Sequence, residues 1–346
     1  MKKILSIIIP TYNMEKYLDK CLTSLIVDDE ELMNQLQVLV IIDGAKDHSS
    51  EIAHLYQDRY PQTFIVIDKE NGNYGSCINR GLKVATGKYV KILDADDSYD
   101  TTIFKDYLSI LTKENADLIL NDFDIVDAKD TVRRTHQYQV EALSQISFEK
   151  YCRTNLLALE MHSVAYRLSI FDGLNYYQTE GISYTDQEWV FLPVTKVETV
   201  FYFNKSLYKY LVGREGQTVD PAILVRSITH TEKGLYSMMK VFESIKSSCS
   251  GVKLYYLRNK LFNRVLSLYT QILIMSSANY ESLIDIDNNI KRISIETWNL
   301  CNNITYMGYP FVKKWRDCHY VMKLPLYIKV HLFAKKMYNK LKILFS

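Results

Sequence analysis

Short apolar runs and segments with helical spacing alternate over the first 120 residues of the chain. The apolar runs are Leu5–Ile9, Val38–Ile42, Phe64–Ile67, Tyr89–Leu93 and Leu118–Leu120, and the helical segments are Lys16–Ile26, Asp47–Gln57, Tyr74–Ala85 and Ile103–Leu111. Strands and helices in this order are typical of a parallel sheet with helices on its two faces. Because ligands of such sheets bind beyond the carboxyl ends of the strands, we expect the chemistry in the residues that follow each strand.

The rest of the chain follows a different pattern. We predict that residues 125–215 form an antiparallel half of the same domain and that the residues after Pro221 are mostly helical. The predicted strands there are Val164–Tyr166, Val200–Phe203 and Leu207–Leu211, and the predicted helices are Gln187–Thr195, Ile228–Ser248, Lys253–Ser276 and Ile293–Asn302. The predicted fold class is therefore α/β: a Rossmann-like, mostly parallel sheet with helices on both faces over residues 1–218, followed by a helical domain over residues 219–346.

The composition indicates a globular protein of a reducing compartment. Hydrophobic residues make up 47% and charged residues 24% of the 346-residue chain, and a net charge of +2 gives no reason to expect a nucleic-acid partner. The six cysteines are scattered without a CxxC pair, which argues against a zinc site and a disulfide framework. The apolar start is interrupted at Ser6 and ends at Pro10, so we interpret it as a buried strand and not as a signal peptide. We expect a cytoplasmic protein.

Polar residues follow three of the predicted strands. These strand ends carry Pro10-Thr11-Tyr12-Asn13, Asp43-Gly44 and Asp94-Ala95-Asp96-Asp97. The last segment contains what we call the acidic triplet (Asp94, Asp96 and Asp97), whose charges repel one another unless a cation or hydrogen-bond donors compensate. A Mg²⁺ or Mn²⁺ ion bound to a diphosphate would supply that compensation, whereas the alternative is an ordinary acidic turn before the next helix.

Together with further motifs, these segments resemble one enzyme family. The motifs are Ser6–Asn13, Ile42-Asp43-Gly44, Asn71-Gly72-Asn73-Tyr74-Gly75-Ser76-Cys77-Ile78-Asn79, Ala85–Val90, Leu93–Asp97 and Tyr184-Thr185-Asp186-Gln187-Glu188-Trp189. In this order and spacing they resemble the inverting glycosyltransferases of family 2, which have the GT-A fold and occur in the synthesis of bacterial surface glycans and glycoproteins. The resemblance covers about residues 4–215, and its last motif is similar to the family's catalytic acidic motif.

The resemblance implies a nucleotide-sugar site, a metal site and a general base. The residues it assigns to nucleotide-sugar binding are Pro10, Thr11, Tyr12, Asn13, Asp43, Asn73, Gly75, Asn79, Asp94 and Ala95. It assigns a divalent metal, Mn²⁺ or Mg²⁺, to Asp94 and Asp96, and the role of general base to Asp186. Asp186 would then take a proton from an acceptor hydroxyl while that oxygen attacks the anomeric carbon, which inverts the configuration at that carbon.

The chain departs from the family pattern near the donor site. Ile42 stands where a second acidic residue often precedes Asp43, Ala45 replaces a common serine, and Ile78 stands where an arginine often precedes Asn79. The contacts to the donor at these positions are therefore left open. From the residues alone, the glycines within Asn71–Asn79 either allow the backbone to approach a ligand closely or simply form a turn before a helix.

Four further polar residues are candidates for acceptor or diphosphate contacts, namely His162, Glu188, Arg214 and Gln217. His162 either lines an acceptor pocket or is a structural histidine of its strand. Arg214 either neutralises phosphate oxygens, whose geometry its guanidinium matches, or forms an ion pair with Glu215 or another neighbour.

The last twenty residues combine apolar and basic character. Apolar residues recur at helical spacing at Leu326, Val330, Phe333, Met337, Leu341 and Leu344, and lysines occupy much of the remaining surface. Such a helix can lie on an anionic membrane surface, which would place the protein peripherally at the inner face of the cell membrane. The alternative is a helix docked on its own domain with solvated lysines.

We therefore predict an enzyme that transfers a hexose or an N-acetylhexosamine from a UDP-sugar to a hydroxyl of a glycan. The acceptor would be a lipid-linked capsular or surface polysaccharide or an adhesin glycoprotein. One alternative is a nucleotidyltransferase, which the lack of a basic, glycine-rich loop after the first strand disfavours. Another is a catalytically degenerate, sugar-nucleotide-binding scaffold partner, which the presence of Asp94, Asp96 and Asp186 disfavours. The oligomeric state is not specified by the sequence.

Overall fold

The chain is organised around a ten-stranded sheet. The computed structural model describes residues 2–154, 159–214, 228–275 and 280–334. The chain divides into two compact units, Met1–Lys260 and Leu261–Ser346. The predicted boundary between residues 218 and 219 lies outside the described residues and stays a prediction.

The sheet is mixed, with parallel and antiparallel strands. Its strands are β1 (Leu5–Thr11), β2 (Leu36–Asp43), β3 (Phe64–Lys69), β4 (Tyr89–Ile92), β5 (Ser98–Tyr99), β6 (Leu118–Val126), β7 (Val132–His136), β8 (Gln145–Ser147), β9 (Val164–Arg167) and β10 (Thr199–Leu211). Their order is β3-β2-β1-β4-β9-β6-β10-β5, with β7 paired to β6 and β8 to β10. Strand β1 is parallel to β2 and β4, β2 is parallel to β3, and β6 is parallel to β10. One side of the sheet, β3-β2-β1-β4, is therefore parallel, and β9 beside it is antiparallel to both of its neighbours. The predicted α/β class is confirmed.

Burial on both faces explains why the parallel strands read as continuous apolar runs. Leu5, Ile7, Ile8 and Ile9 of β1 are all fully buried, and every residue of β2 is buried. The helices that cover the two faces are α1 (Leu18–Thr23), α2 (Glu30–Gln35), α3 (Ser49–Arg59), α4 (Asn73–Val84) and α5 (Thr101–Leu111). The predicted strands and helices of this half are present, although the first helix is shorter than the predicted Lys16–Ile26. Helix α2 was not predicted from the sequence.

The second half of the sheet differs from the prediction in one strand. The pieces predicted at Val200–Phe203 and Leu207–Leu211 form a single strand, β10. It runs antiparallel to β5 and β8, as predicted for this half, but parallel to β6. The pairing register shifts between Phe203 and Ser206 and again before Tyr208. Such irregularities interrupt the alternation of side chains, so one strand resembles two in the sequence.

Further helices follow in chain order. They are α6 (Phe148–Thr154), α7 (Asp186–Trp189), α8 (Ile228–Ile245), α9 (Gly251–Thr270), α10 (Tyr280–Ile293), α11 (Ile295–Leu300), α12 (Phe311–Asp317) and α13, which comprises residues 326–334. Among the described residues, no helix combines the length and the apolarity needed to cross a membrane.

Two predicted helices are interrupted. The predicted helix Gln187–Thr195 consists of α7 and a separate 3₁₀ turn that starts with a proline, at Pro193–Lys196, because proline has no amide hydrogen to continue the helical bonds. The predicted helix Ile293–Asn302 is divided at Ser294. The Ser294 hydroxyl accepts a hydrogen bond from the amide of Thr297 at 3.1 Å and so starts α11.

A buried ion pair lies at the centre of the second unit. Asp287 is fully buried and accepts hydrogen bonds from the Arg316 guanidinium (Nη2, 2.5 Å), the Trp298 indole (2.8 Å) and the Tyr269 hydroxyl. The guanidinium also stacks 4.1 Å from the centroid of the Trp298 ring. Both charges are removed from water, so loss of either partner would leave an uncompensated buried charge and destabilise the fold.

We expect Asp287→Ala to lower the free energy of unfolding by about 3–5 kcal/mol, because it leaves a buried guanidinium without its counter-charge. The matched control is Asp285→Ala on the same helix, whose side chain is exposed and for which we expect a change within about 0.5 kcal/mol. Urea unfolding followed by tryptophan fluorescence measures both. Equal effects of the two substitutions would contradict the role given to Asp287.

Candidate active site

A cavity of about 300 Å³ opens beyond the carboxyl ends of β1, β2 and β4. Eight of the residues that the sequence predicts for the site line it: Pro10, Thr11, Tyr12, Asp43, Asn73, Asp94, His162 and Asp186. These residues are spread over more than 170 positions of the sequence, and the sheet brings them to one edge. The cavity is therefore the candidate active site.

One side of the cavity is built on Asp43. This residue ends β2 and pairs in register with Lys69, the last residue of β3. The Asp43 Oδ1 accepts hydrogen bonds from the Lys69 ammonium at 2.5 Å and from the amide of Gly72 at 2.9 Å. The Asn71 side chain donates to the Asp43 carbonyl at 2.8 Å. These bonds hold the loop before α4 against the end of β2, so Asp43 fixes the position of this side of the cavity.

The acidic triplet follows β4, and its three carboxylates have different partners. Asp94 lines the cavity and accepts a hydrogen bond from the Tyr74 hydroxyl at 2.8 Å. Burial, together with the nearby charge of Asp96, raises the pKa of Asp94 well above the ordinary value of a carboxyl group. Asp94 is therefore the member of the triplet that a ligand in the cavity can reach.

Asp97 connects the triplet to strand β10. It is buried, and its two oxygens accept hydrogen bonds from the Tyr208 hydroxyl at 2.6 Å and from the amide of Leu211 at 2.7 Å. Burial and the two neighbouring carboxylates raise the pKa of Asp97. Since Tyr208 and Leu211 both belong to β10, Asp97 fastens the loop after β4 to that strand.

Asp96 forms an ion pair with Arg214. The Nε of Arg214 lies 2.5 Å from Oδ2 of Asp96, and both side chains are largely buried. The sequence left open whether Arg214 pairs with a phosphate or with a neighbouring carboxylate; in the structure it pairs with Asp96 of the triplet. Glu215 lies outside the described residues. Gln217 also lies outside them. The guanidinium therefore offsets part of the negative charge of this region.

Asp186 begins α7, and a strained turn precedes it. Tyr184 has a φ of 65°, in the left-handed region that bulky residues rarely adopt. The Gln178 side chain donates to both the carbonyl and the hydroxyl of Thr185, at 2.9 and 3.0 Å. These contacts hold the turn, and with it Asp186, at the cavity wall.

Glu188 supports the same turn from behind. Its carboxylate accepts hydrogen bonds from the amide and the hydroxyl of Thr179, both at 2.7 Å, and the residue is buried. Glu188 is not among the residues that line the cavity. Its contacts are those of a residue that positions the segment around Asp186.

Two residues predicted for the donor site contact this segment as well. The Asn79 side chain donates to the carbonyl of Gln178 at 2.8 Å and accepts from its amide at 2.9 Å. A Cβ atom on Gly75 would lie 2.1 Å from the carbonyl oxygen of Thr179, so only glycine fits there. The close backbone approach that Gly75 allows is thus to the protein's own chain. Neither residue lines the cavity.

The remaining predicted residues lie at the rim or in the core. Asn13 has a φ of 54°, and its side-chain oxygen accepts a hydrogen bond from the amide of Lys46 at 2.8 Å, which joins the loops after β1 and β2. Ala95 is buried. Both stand beside cavity residues without lining the cavity themselves.

His162 combines the two alternatives that the sequence offered. It lines the cavity, and its ring packs against Phe123, Tyr208 and Tyr210 with centroid distances of 5.1, 4.9 and 4.5 Å. Burial lowers the pKa of His162 to about 4, so the ring is neutral at physiological pH. Its carbonyl accepts a hydrogen bond from Lys91 at 2.9 Å.

Lys91 is a fully buried residue of β4 below the cavity. Its ammonium donates to the side chain of Asn121 at 2.9 Å and to the carbonyls of His162 and Val164 at 2.9 and 3.3 Å. Burial lowers the pKa of Lys91 well below its ordinary value. The residue was not predicted for the site. Its place inside the apolar run Tyr89–Leu93 indicates burial, but it does not indicate which groups the ammonium contacts.

The donor set around Asp94 suits a divalent cation. Asp94, Asp97 and His162 each place one ligand atom within 4.8 Å of the others. Carboxylate oxygens and a neutral imidazole are ligands that Mn²⁺ accepts, and Mg²⁺ prefers the oxygens. Within the described residues, the triplet and Asp186 bring four carboxylates to this region, so a cation would relieve their repulsion.

Several cavity residues were not among those predicted. They are Met14, Asn71, Tyr74, Cys77, Met161, Ser183, Tyr184, Thr185 and Tyr210. Five of them, Asn71, Tyr74, Cys77, Tyr184 and Thr185, lie within motifs that carried the family resemblance, so neighbouring positions of those motifs could have been included. Met14 and Met161 carry no signal of this kind, because an apolar residue next to a polar site looks like any core residue.

Comparison with known proteins identifies the chain as a glycosyltransferase. Residues 6–174 match the family model described as glycosyl transferase family 2. That range begins in β1 and includes the acidic triplet and β9. The fold is that of a GT-A glycosyltransferase, and this segment, just under half of the chain, matches glycosyltransferase family 2.

Individual relatives are distant. An uncharacterized glycosyltransferase of Mycoplasma genitalium, MG025, is 28% identical over 231 residues, which are 63% of this chain and 70% of that protein. The uncharacterized glycosyltransferase YibD of Escherichia coli is 27% identical over 212 residues, which are 60% of each chain. The crystal structure of S. aureus TarS 1–349 in complex with UDP-GlcNAc matches with a TM-score of 0.65 at 16% identity, over 97% of this chain and 92% of that one. The fold is therefore shared well beyond the matched family segment.

We expect Glu188→Ala to lower the free energy of unfolding by about 3 kcal/mol, because it leaves the two half-buried donors of Thr179 without their charged acceptor. The matched control is Glu180→Ala on the same segment, whose exposed carboxylate we expect to contribute less than about 1 kcal/mol. Urea unfolding at neutral pH compares the two. A Glu188 variant as stable as the control would show that the carboxylate does not hold this segment.

Proposed function

We propose that this glycosyltransferase moves a hexose or an N-acetylhexosamine from a UDP-sugar to a hydroxyl of a glycan, with a divalent metal and with Asp186 as general base. The observation that carries the proposal is that Asp186 lines the same cavity as Asp94, Asp43 and Thr11. A base, a metal-binding carboxylate and polar groups for a nucleotide are the parts that this reaction needs.

Uridine is proposed to bind at the Asp43 side of the cavity. Thr11 and Asp43 lie at the ends of the adjacent parallel strands β1 and β2, and Asp43 is held in place by Lys69 and Gly72. A fixed carboxylate can accept a hydrogen bond from the imide of the base without a loss of side-chain entropy. The TarS structures with UDP-GlcNAc and with UDP support the choice of a UDP-sugar, because they share this fold.

The metal is proposed to bind through Asp94 and Asp96, with Asp97 and His162 close enough to contribute. When bound, such an ion neutralises charge on the diphosphate leaving group as a Lewis acid. Arg214 already lies beside Asp96, and its guanidinium matches the geometry of phosphate oxygens, so we propose it as a further contact to the diphosphate. Tyr74 orients the Asp94 carboxylate through its hydroxyl.

Asp186 is proposed to accept the proton of the acceptor hydroxyl. As that proton moves to Asp186, the hydroxyl oxygen forms a bond to the anomeric carbon and the bond from that carbon to the diphosphate oxygen breaks. The electron pair of the broken bond leaves with UDP. Because attack and departure occur on opposite sides of the carbon, a single displacement inverts its configuration. The strained turn at Tyr184 and the contacts of Glu188 would keep the base in line with the acceptor.

The acceptor is proposed to be a growing surface glycan, either lipid-linked or attached to an adhesin protein. The compartment that we propose is the cytoplasm. All six cysteines are unpaired, which is typical of proteins in a reducing compartment.

We expect Asp186→Asn to lower the rate of UDP release from the UDP-sugar by a factor of about 10²–10⁴, because the amide cannot accept the proton. The Kd for UDP should stay within about twofold, since the change leaves the nucleotide side of the cavity untouched. The measurement is coupled detection of UDP together with calorimetric titration of UDP. Asp58→Asn, an exposed isosteric change on α3, is the control. An Asp186 variant with full activity would assign the base elsewhere.

Metal removal tests the second part of the proposal. With a panel of nucleotide sugars, we expect slow hydrolysis of a UDP-sugar in Mn²⁺ and loss of that hydrolysis in EDTA, because the leaving group is then no longer neutralised. Asp94→Asn should abolish the metal-dependent part of UDP binding. No release of any nucleotide, together with UDP binding that is absent or indifferent to EDTA, would contradict the proposed donor and metal.

A further inference from the structure

Helix α13 exposes large apolar side chains. Leu326 is 76% exposed, Val330 58% and Phe333 67%. Ile328, on the same helix, is fully buried. Side chains of this size are seldom exposed together on a short helix, and a contiguous group of them commonly marks a contact surface.

The positions of these residues separate the two alternatives that the sequence left open. Residues 326, 330 and 333 are spaced by four and three positions, so their side chains lie on one face of the helix. Ile328 projects from the opposite face, because two residues correspond to about 200° of rotation. The helix is therefore anchored through Ile328, and the face formed by Leu326, Val330 and Phe333, which we call the apolar stripe, is the one that remains in solvent.

Positive charge accompanies the apolar stripe. Lys323 and Lys329 are exposed on the same segment. The sequence from residue 318 to 346 contains six lysines and no aspartate or glutamate. The same spacing of apolar residues continues in the sequence at Met337, Leu341 and Leu344, which lie outside the described residues.

These features favour a lipid surface over a second copy of the chain. Two copies joined through their apolar stripes would bring lysines of like charge together, and residues 318–346 contain no acidic residue to compensate. The three side chains of the stripe within the described residues 326–334 also fall well short of the roughly 800 Å² per partner that a stable dimer buries. An anionic bilayer supplies both of the required partners, a hydrocarbon layer for the stripe and negative head groups for the lysines.

We propose that the apolar stripe of α13, with Lys323 and Lys329 beside it, docks on the surface of an anionic lipid bilayer. Leu326, Val330 and Phe333 insert to the depth of the acyl boundary, and the lysine ammonium groups stay at the level of the phosphates. The helix lies in the plane of the membrane and does not cross it. This contact is independent of the proposed donor, metal and base, because none of its residues lines the cavity.

Sedimentation with vesicles tests the proposal on the full-length chain. We expect binding to vesicles of phosphatidylglycerol and phosphatidylcholine in about equal parts, and much weaker binding to vesicles of phosphatidylcholine alone or in roughly 0.5 M salt. The double variant Leu326→Glu/Phe333→Glu should lower the partition coefficient at least about tenfold. Lys323→Gln and Lys329→Gln should each lower it about fivefold.

The matched control is Leu55→Glu, the same substitution at a leucine that is 67% exposed on α3 of the first unit. We expect it to bind vesicles like the unmodified chain. Hydrolysis of the UDP-sugar should be unchanged in the double variant, which shows that the protein is folded and separates this test from the proposed function. Failure of the unmodified chain to bind anionic vesicles would overturn the proposal. So would equal binding by the double variant, or light scattering that shows the stripe variants abolishing a dimer instead.

Discussion

The buried ammonium of Lys91 connects the parts of the sheet on which the cavity rests. It joins β4 to Asn121 of β6 and to the carbonyls of His162 and Val164 at the start of β9. Strand β9 runs antiparallel between β4 and β6, where the parallel order is broken. A lysine in this place is costly to desolvate, and three acceptors offset that cost. Lys91 therefore helps to position both the acidic triplet, which follows β4, and His162.

Much of the first half of the fold could be predicted, because its signals are local. Strands such as Leu5–Ile9 are buried on both faces and are apolar throughout, and polar residues follow them directly in the sequence. The strand predicted at Val164–Tyr166 is present as β9, but its position between β4 and β6 could not be predicted, since pairing with distant strands leaves no local pattern. Tyr74 and Lys91 were missed for a similar reason. Their roles come from partners many positions away, and their residue types alone do not indicate them.

Residues of the same sequence motifs have two different roles in the candidate site: some line the cavity and others bond to the protein's own chain. Asp43, Asp94 and Asp186 line the cavity. Glu188 and Asn79 carry equally polar side chains but are used to hold the segment between residues 178 and 188. Hydrogen-bonding groups look alike in a sequence whether they bind a substrate or the chain itself. Only the direction of the side chain distinguishes them, and that direction is set by tertiary packing.

The left-handed backbone at Tyr184 has a consequence for how this protein can change. A tyrosine in that conformation stores about 1 kcal/mol or more of unfavourable free energy, which glycine would avoid. Glycine would also free the turn before Asp186 to sample other conformations. Replacing Tyr184 with glycine would thus relieve strain in the folded state but weaken the alignment of the Asp186 carboxylate. We therefore expect a selection for thermostability to yield substitutions at Tyr184. The activity of those variants would measure how much the rate of transfer depends on a rigidly held Asp186.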